Sequence, residues 1–285
     1  MKGGKQMKNK TFSKVFWKIV KHAVLLLFVA FTLIPVLWML STSFKPKTEL
    51  YTNLSLIPTR FDFSSYAHVW RETDFPLWFR NSAVISLSST GLSLVIGSLA
   101  AYSLSRFRYR GRNLFGQVLL IIQMFPGILL VIPMFLIMSK INLLDTRLGV
   151  IITYLAFGLP TATWMLKGYF DTIPRELEEA AMIDGCSTIS AFGRIVLPIS
   201  GPGITSVAIF TLLLSWNEFL YAFIFLKSSS NYTLTLGLVS FMDQFSNQWD
   251  NLMTAATLIT LPVLFFFLLL QKYFTRGLIA GATKG

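Results

Sequence analysis

Long apolar stretches separated by brief polar ones set the rhythm of this chain. Six stretches, at residues 20–41, 82–105, 114–138, 148–170, 195–217 and 255–274, are mostly apolar. Each reaches the length of about 20 residues that an α-helix needs to cross a bilayer. The fifth is expected to run on through "EFLYAFIFL", tilted or extended above the membrane. The first follows a basic head, as a secretory signal does. Its apolar stretch is too long for that role and no small-residue cleavage site follows, so it reads as a retained helix. The pattern predicts an all-α polytopic membrane protein with six transmembrane helices.

Composition agrees. The 285 residues are 54% hydrophobic and only 13% charged, too little charge to cover a soluble domain of this length. The single cysteine, Cys186, excludes an internal disulfide and a cysteine-rich metal site. His22 and His68 stand too far apart in sequence to suggest a histidine metal cluster. A net charge of +12 would suit a nucleic-acid partner, but its distribution points elsewhere. With the N-terminus inside and six crossings, seventeen of the 25 basic residues fall on the inner face, with five of the 13 acidic ones. The outer face is then neutral. That is the positive-inside bias, and it predicts both termini in the cytoplasm and no nucleic-acid partner.

The same reading divides the chain. Residues 1–18 form a basic, mobile lead and 19–41 the first span. Residues 42–81 are an aromatic-rich outside loop, 82–276 the core of the remaining spans, and 277–285 a short inner tail. A second outside loop covers about 218–254. Asn53 and Asn231 head glycosylation sequons of a kind that arises often by chance. Every span but the second has proline in it or at its ends: Pro35, Pro126, Pro133, Pro160, Pro198, Pro202 and Pro262. Each removes a backbone donor, as suits a bundle that bends or encloses a cavity. The second span instead repeats Ser89, Ser93, Gly97, Ala101 and Ser105, a seam of small residues on one side. Such a seam admits another backbone closely, from this chain or from a second membrane subunit.

Missing residues narrow the function. No carboxylate lies in the middle of a span, which disfavours an ion-coupled secondary carrier. There is no G-x-x-x-x-G-K-[ST] loop, and the terminal "GLIAGATKG" fails that spacing. No catalytic triad or paired-carboxylate site is visible, so an enzyme is not expected, nor a metal or cofactor. If the chain is a pump, its energy enters from elsewhere. The candidate entry point is the acidic connection at residues 171–194, on the inner face by the charge count.

There Pro174 suits the first turn of a helix, and Glu176 its positive end. At 3.6 residues per turn Leu177, Ala180 and Ala181 share one face. Arg175, Glu178 and Glu179 share the other, with Arg175 and Glu179 spaced as an i,i+4 pair. Gly185 is placed to end the helix in a left-handed turn and Ser187 to cap a second one. A helix lying on lipid headgroups would share several of these traits, but such helices are usually lysine-rich on the polar side. This one is acidic, so a protein partner suits it better.

The stretch "EAAMIDGCSTISAFGRIVLP" resembles the EAA loop of membrane subunits in binding-protein-dependent ABC importers. Glu179, Ala180, Ala181, Gly185, Ile195, Leu197 and Pro198 fall on that pattern without a gap. The wording around it, the six spans and the tail "RGLIAGATKG" further resemble the carbohydrate-uptake branch, in particular the shorter permease of maltose-type systems. The resemblance implies a type I ABC importer permease fold and a second related permease as heterodimer partner. It also implies two ATPase subunits that hold ATP and Mg, and an extracytoplasmic solute-binding protein. It gives the ATPase-coupling role to Glu179, Ala180, Ala181, Asp184, Gly185, Ile195, Leu197 and Pro198, and makes a sugar, an oligosaccharide, the expected solute. Candidate solute contacts are Gln123 of the third span and Ser215, Trp216, Asn217 and Glu218 at the end of the fifth, because sugars stack on aromatic rings and bond to polar groups. Trp216 also reads as an interfacial anchor. A non-sugar solute such as a polyamine or sugar phosphate remains the alternative.

Overall fold

A computed structural model describes residues 3–52, 54–242 and 248–282, with side chains between residues 16 and 268. All its regular elements among these residues are helices. Four are long and apolar enough to cross a membrane: α1 (Gly3–Ser43), α3 (Phe75–Arg106), α6 (Arg147–Phe170) and α13 (Trp249–Ala282). Two bent pairs bring the count to as many as six, with each pair taken as one broken span. One joins α4 (Arg112–Met124) to α5 (Gly127–Lys140) at 103°. The other joins a segment of short turns, Thr188–Ile199, to α10 (Gly201–Trp216) at 77°. We call the face holding the arginines of residues 106–112 the basic face.

The breaks correct the expected third and fifth spans, which the apolar pattern drew as continuous. Phe125 is extended and Pro126 sits at φ −58°, ψ 126°, because the residue before a proline is pushed out of the helical region and proline offers no N–H. The fifth span begins at Gly201, and residues 195–200 belong to the bent connection before it. It also stops at Trp216: "EFLYAFIFL" forms a separate short helix, α11 (Leu220–Phe225). Pro35, Pro133, Pro160 and Pro262, by contrast, lie within helices that run on. Residues 3–18 are not set apart from the first span but form its opening turns. The expected tail likewise continues α13 as far as Ala282, and residues 283–285 lie outside the described residues, as does the Asn53 sequon.

The second span starts seven residues earlier than the apolar pattern drew it, with Pro76 in the first turn of α3. Its start is fastened to the stretch before the short helix α12 (Leu234–Gly237): Trp78 Nε1 donates to Ser229 O at 3.1 Å, and Asn81 Nδ2 to Ser230 O and Tyr232 O at 2.9 and 3.0 Å.

α3 and α6 run parallel and form the centre of the bundle. The small-residue seam of α3 meets small residues of α6 in step. A Cβ on Gly97 would stand 3.1 Å from Ala162 Cβ, and one on Gly158 would stand 2.8 Å from Ser93 Oγ. The seam therefore serves packing within this chain, and Ser89 Oγ extends it to α10 by donating to Ser215 Oγ at 3.1 Å. α1 stands apart. Its membrane segment has no buried residue apart from its C-terminal end, where it packs against α13: Thr254 Oγ1 donates to Ser43 O at 3.4 Å, and Ser43 Oγ lies 2.7 Å from Tyr66 Oη of α2 (Ser64–Arg71).

Candidate functional site

The connection after α6 folds into a compact elbow. α7 (Glu176–Ile183) carries Glu176, Glu178 and Glu179 in its first turn, where the helix end is positive. It stops at Gly185, whose φ is +89°. Gly185 N donates to Met182 O at 3.1 Å and Cys186 N to Ala181 O at 2.9 Å, the paired bonds of a glycine-closed helix terminus. Ser187 Oγ then accepts from Ser190 N at 3.3 Å and starts α8 (Thr188–Ala191). The expected cap and stop are both present.

The faces of α7 differ from the expected ones. Glu178 and Ala181 are buried, whereas Leu177, Glu179, Ala180, Met182, Ile183 and Asp184 are exposed. Ile183 shows 86% of its surface. The helical wheel set an apolar face against a charged one, but what the helix packs on is itself polar. Glu178 Oε2 accepts from Tyr102 Oη at 2.6 Å, and Glu178 Oε1 pairs with Arg106 Nε at 2.5 Å. The expected Arg175–Glu179 pair is not formed among the described ion pairs; Arg175 Nη2 donates to Ser105 O at 3.0 Å instead.

Below the elbow a five-residue π turn, Phe192–Val196, leads into α9 (Leu197–Ile199). Leu197 N reaches back five residues to Phe192 O, a wider turn of the kind that marks helix bends. Phe192 packs 4.5 Å from the Tyr102 ring and edge-on to Phe170 at 6.2 Å. Ile195 and Leu197 are half-buried and Pro198 is exposed. The sequence-derived coupling residues thus divide: Glu179, Ala180, Asp184, Gly185 and Pro198 are exposed, and Ala181, Ile195 and Leu197 are buried or half-buried.

On the opposite face, Ser215 and Trp216 end α10, and Asn217 and Glu218 lead into α11. Trp216 is buried, edge-on to Phe79 at 5.8 Å. Glu218 caps α11 by accepting from Tyr221 N at 2.8 Å, and also accepts from Tyr154 Oη at 2.5 Å. Tyr221 Oη donates to Gly127 O at 2.8 Å, linking α11 to the α4–α5 break. Asn217 is exposed, its Nδ2 donating to Leu213 O at 2.9 Å, and Gln123 is exposed beside the break. Outside the spans, Asp145 ties the α5–α6 loop to residues 227–231. Partial burial raises its carboxyl, but bonds from Ser228, Lys227 N and Asn231 outweigh that and hold it at about 2. No group of three or more metal-ligating side chains occurs among the described residues.

Sequence reasoning missed Tyr102, Ser105 and Arg106 as partners of the elbow. The one signal present was Asp171, Arg175 and Glu178 at i, i+4 and i+7, a polar stripe that now meets the end of α3.

The bundle, with two sharply bent helix pairs and a structured elbow between spans, has the helix lengths and apolarity of a polytopic membrane protein. Residues 93–280 match the model of the family described as "Binding-protein-dependent transport system inner membrane component", and the chain belongs to that family. Members are permease subunits of ABC importers, separate from the ATPase. The chain is 39% identical to the inner membrane ABC transporter permease protein YcjP of Escherichia coli, over 96% of this chain and 99% of that one. It is 34% identical to the arabinooligosaccharides transport system permease protein AraQ of Halalkalibacterium halodurans, over 98% and 100%. Its fold matches a chain of a bacterial ABC transporter involved in the import of alginate, with a TM-score of 0.82 at 24% identity over 92% of this chain and 98% of that one.

Proposed function

We propose that the chain is one of two related permeases in an ATP-driven importer of a sugar, an oligosaccharide handed over by an extracytoplasmic binding protein. Both termini lie in the cytoplasm, and the elbow docks one of two ATPase subunits that hold the ATP and Mg; this chain binds neither. The observation that carries the reading is the free face of α7. Leu177, Glu179, Ala180 and Ile183 stand exposed on a helix whose other side is fixed to the bundle, as a docking surface requires. The kinship with an arabinooligosaccharide permease supports the sugar. The charge bias supports the orientation.

In this reading closure of the ATP-bound subunits pushes α7, and the push reaches spans that are already broken at Pro126 and near Ser200. Those breaks let parts of the bundle move without unwinding whole helices. Among the candidate solute contacts, the exposed Gln123 and Asn217 are the best placed, while Trp216, Ser215 and Glu218 are occupied in packing or capping. The test is Glu179→Lys in the assembled importer: the ATPase is lost from the purified complex. Retention of the ATPase together with undiminished uptake would refute the docking. The ligand that copurifies with the binding protein decides the solute class, a sugar being expected and a polyamine or sugar phosphate refuting it.

A further inference from the structure

The last turn of α3 holds the elbow through three side chains. Ser105 Oγ donates to Asp171 Oδ1 at 2.7 Å, and Ser105 O accepts from Arg175 at 3.0 Å. The Arg106 guanidinium binds Glu178 and also donates to Ile173 O at 3.0 Å. Both side chains of this ion pair are nearly enclosed, Arg106 at 8% and Glu178 at 5% exposure. Buried charges are costly unless fully satisfied, and a buried pair is weak evidence for stability as such. Shape and registry are better reasons to keep one. Here α7 has only two buried residues, Glu178 and Ala181, so the pair, not apolar packing, fixes where the helix sits.

α3 is not adjacent to the elbow in sequence. The chain enters the elbow from α6 and leaves it toward α10, and these joints alone would let it swing. The ion pair adds a third attachment. α3 in turn is locked to α6 through Gly97–Ala162 and Ser93–Gly158, and to α10 through Ser89–Ser215.

We propose that Arg106 and Glu178, with Tyr102, are positioning residues that pin the elbow to the end of α3, so that the ATPase stroke moves α3 and α6 as one body. The proposal rests on the docking reading above. It makes the pin a determinant of coupling, meaning solute moved per ATP hydrolysed, and not of ATPase recruitment.

The experiment uses the complete importer in proteoliposomes and measures uptake, ATP hydrolysis and subunit composition together. Glu178→Gln and Arg106→Gln are expected to retain the ATPase and its hydrolysis but to lower uptake per ATP by about 2- to 30-fold, the range over which coupling networks respond to such changes. Tyr102→Phe, which deletes one hydrogen bond, gives a smaller loss and serves if the charge variants fail to assemble. The exchange Arg106→Glu with Glu178→Arg restores part of the ratio. Uptake per ATP at the wild-type value in Glu178→Gln or in Tyr102→Phe would overturn the proposal, as would uptake and hydrolysis falling in equal proportion. Failure of docking is distinguishable, because there the ATPase is missing from the complex.

Discussion

Gly185 offers the sharpest test of the elbow's geometry. Its φ of +89° lies where side chains are rarely found, yet a Cβ built there meets nothing within 4 Å. Gly185→Ala therefore costs backbone strain alone, about 1–2 kcal/mol. That shifts the ratio of closed to opened elbow by about 5- to 30-fold. Gly185→Pro is different in kind. Proline is held near φ of about −65° and has no N–H, so it cannot reach the turn, and it deletes the bond to Met182 O at 3.1 Å. It also drives Asp184, now the residue before a proline, away from its ψ of 7°. The elbow then loses its corner. In proteoliposomes holding the complete importer, Gly185→Ala is expected to lower solute uptake per ATP partially, Gly185→Asn less because asparagine tolerates the left-handed region, and Gly185→Pro to near background. Membrane insertion, followed by protease protection, stays unchanged in all three. Wild-type uptake by Gly185→Pro would refute the view that the corner is required.

Gly97→Leu forces a branched side chain into a seam where a Cβ alone would already stand 3.1 Å from Ala162 Cβ and 3.3 Å from Thr163 N; overpacking of about 1–3 kcal/mol or more is expected to lower the midpoint of thermal unfolding in detergent. Trp216→Ala removes a buried ring packed on Phe79 and is expected to cost about 3–5 kcal/mol, read as lower yield of folded protein with little change in the apparent KM of what remains. The Asp145 carboxyl, held at about 2 against about 3.9 in an unfolded chain, stabilises its loop fully above pH of about 4. That contribution fades as pH falls through the folded value, so proteolysis of residues 140–147 is expected to be flat from neutral to mildly acid pH and to rise only in strong acid. Asp145→Asn removes the step.

Much of the architecture was legible because a bilayer imposes its own length rule. The apolar stretches and the "EAA" wording each carry information that survives without coordinates. What was not legible depended on partners far away in sequence. Glu178 looked like a solvated residue because the helical wheel ranks residues by polarity. Its burial follows from Arg106 and Tyr102, some seventy residues upstream. Pro126 read as a kink inside one span, since the residues on either side are equally apolar; the sharp turn is set by Phe125 leaving the helical region. The start of α3 at Phe75 was hidden for the reverse reason. In "FPLWFRN" Pro76, Arg80 and Asn81 interrupt the apolar run, yet the stretch is helical and residues 229–232 hold its Trp78 and Asn81 in place. Trp216 and Glu218 stood out as polar or aromatic groups near a span end, a description that suits a solute contact and a packing anchor equally.

The hydroxyls of α3 bear on how the protein is made. During synthesis this helix leaves the translocon well before α6 exists to cover it. Ser86 and Ser98 turn their hydroxyls onto carbonyls four and three residues back, at 2.7 and 2.9 Å. Those two positions are consequently self-satisfied in hydrocarbon and need no companion. At those positions the serine-rich helix is greasy in effect before its parallel neighbour arrives.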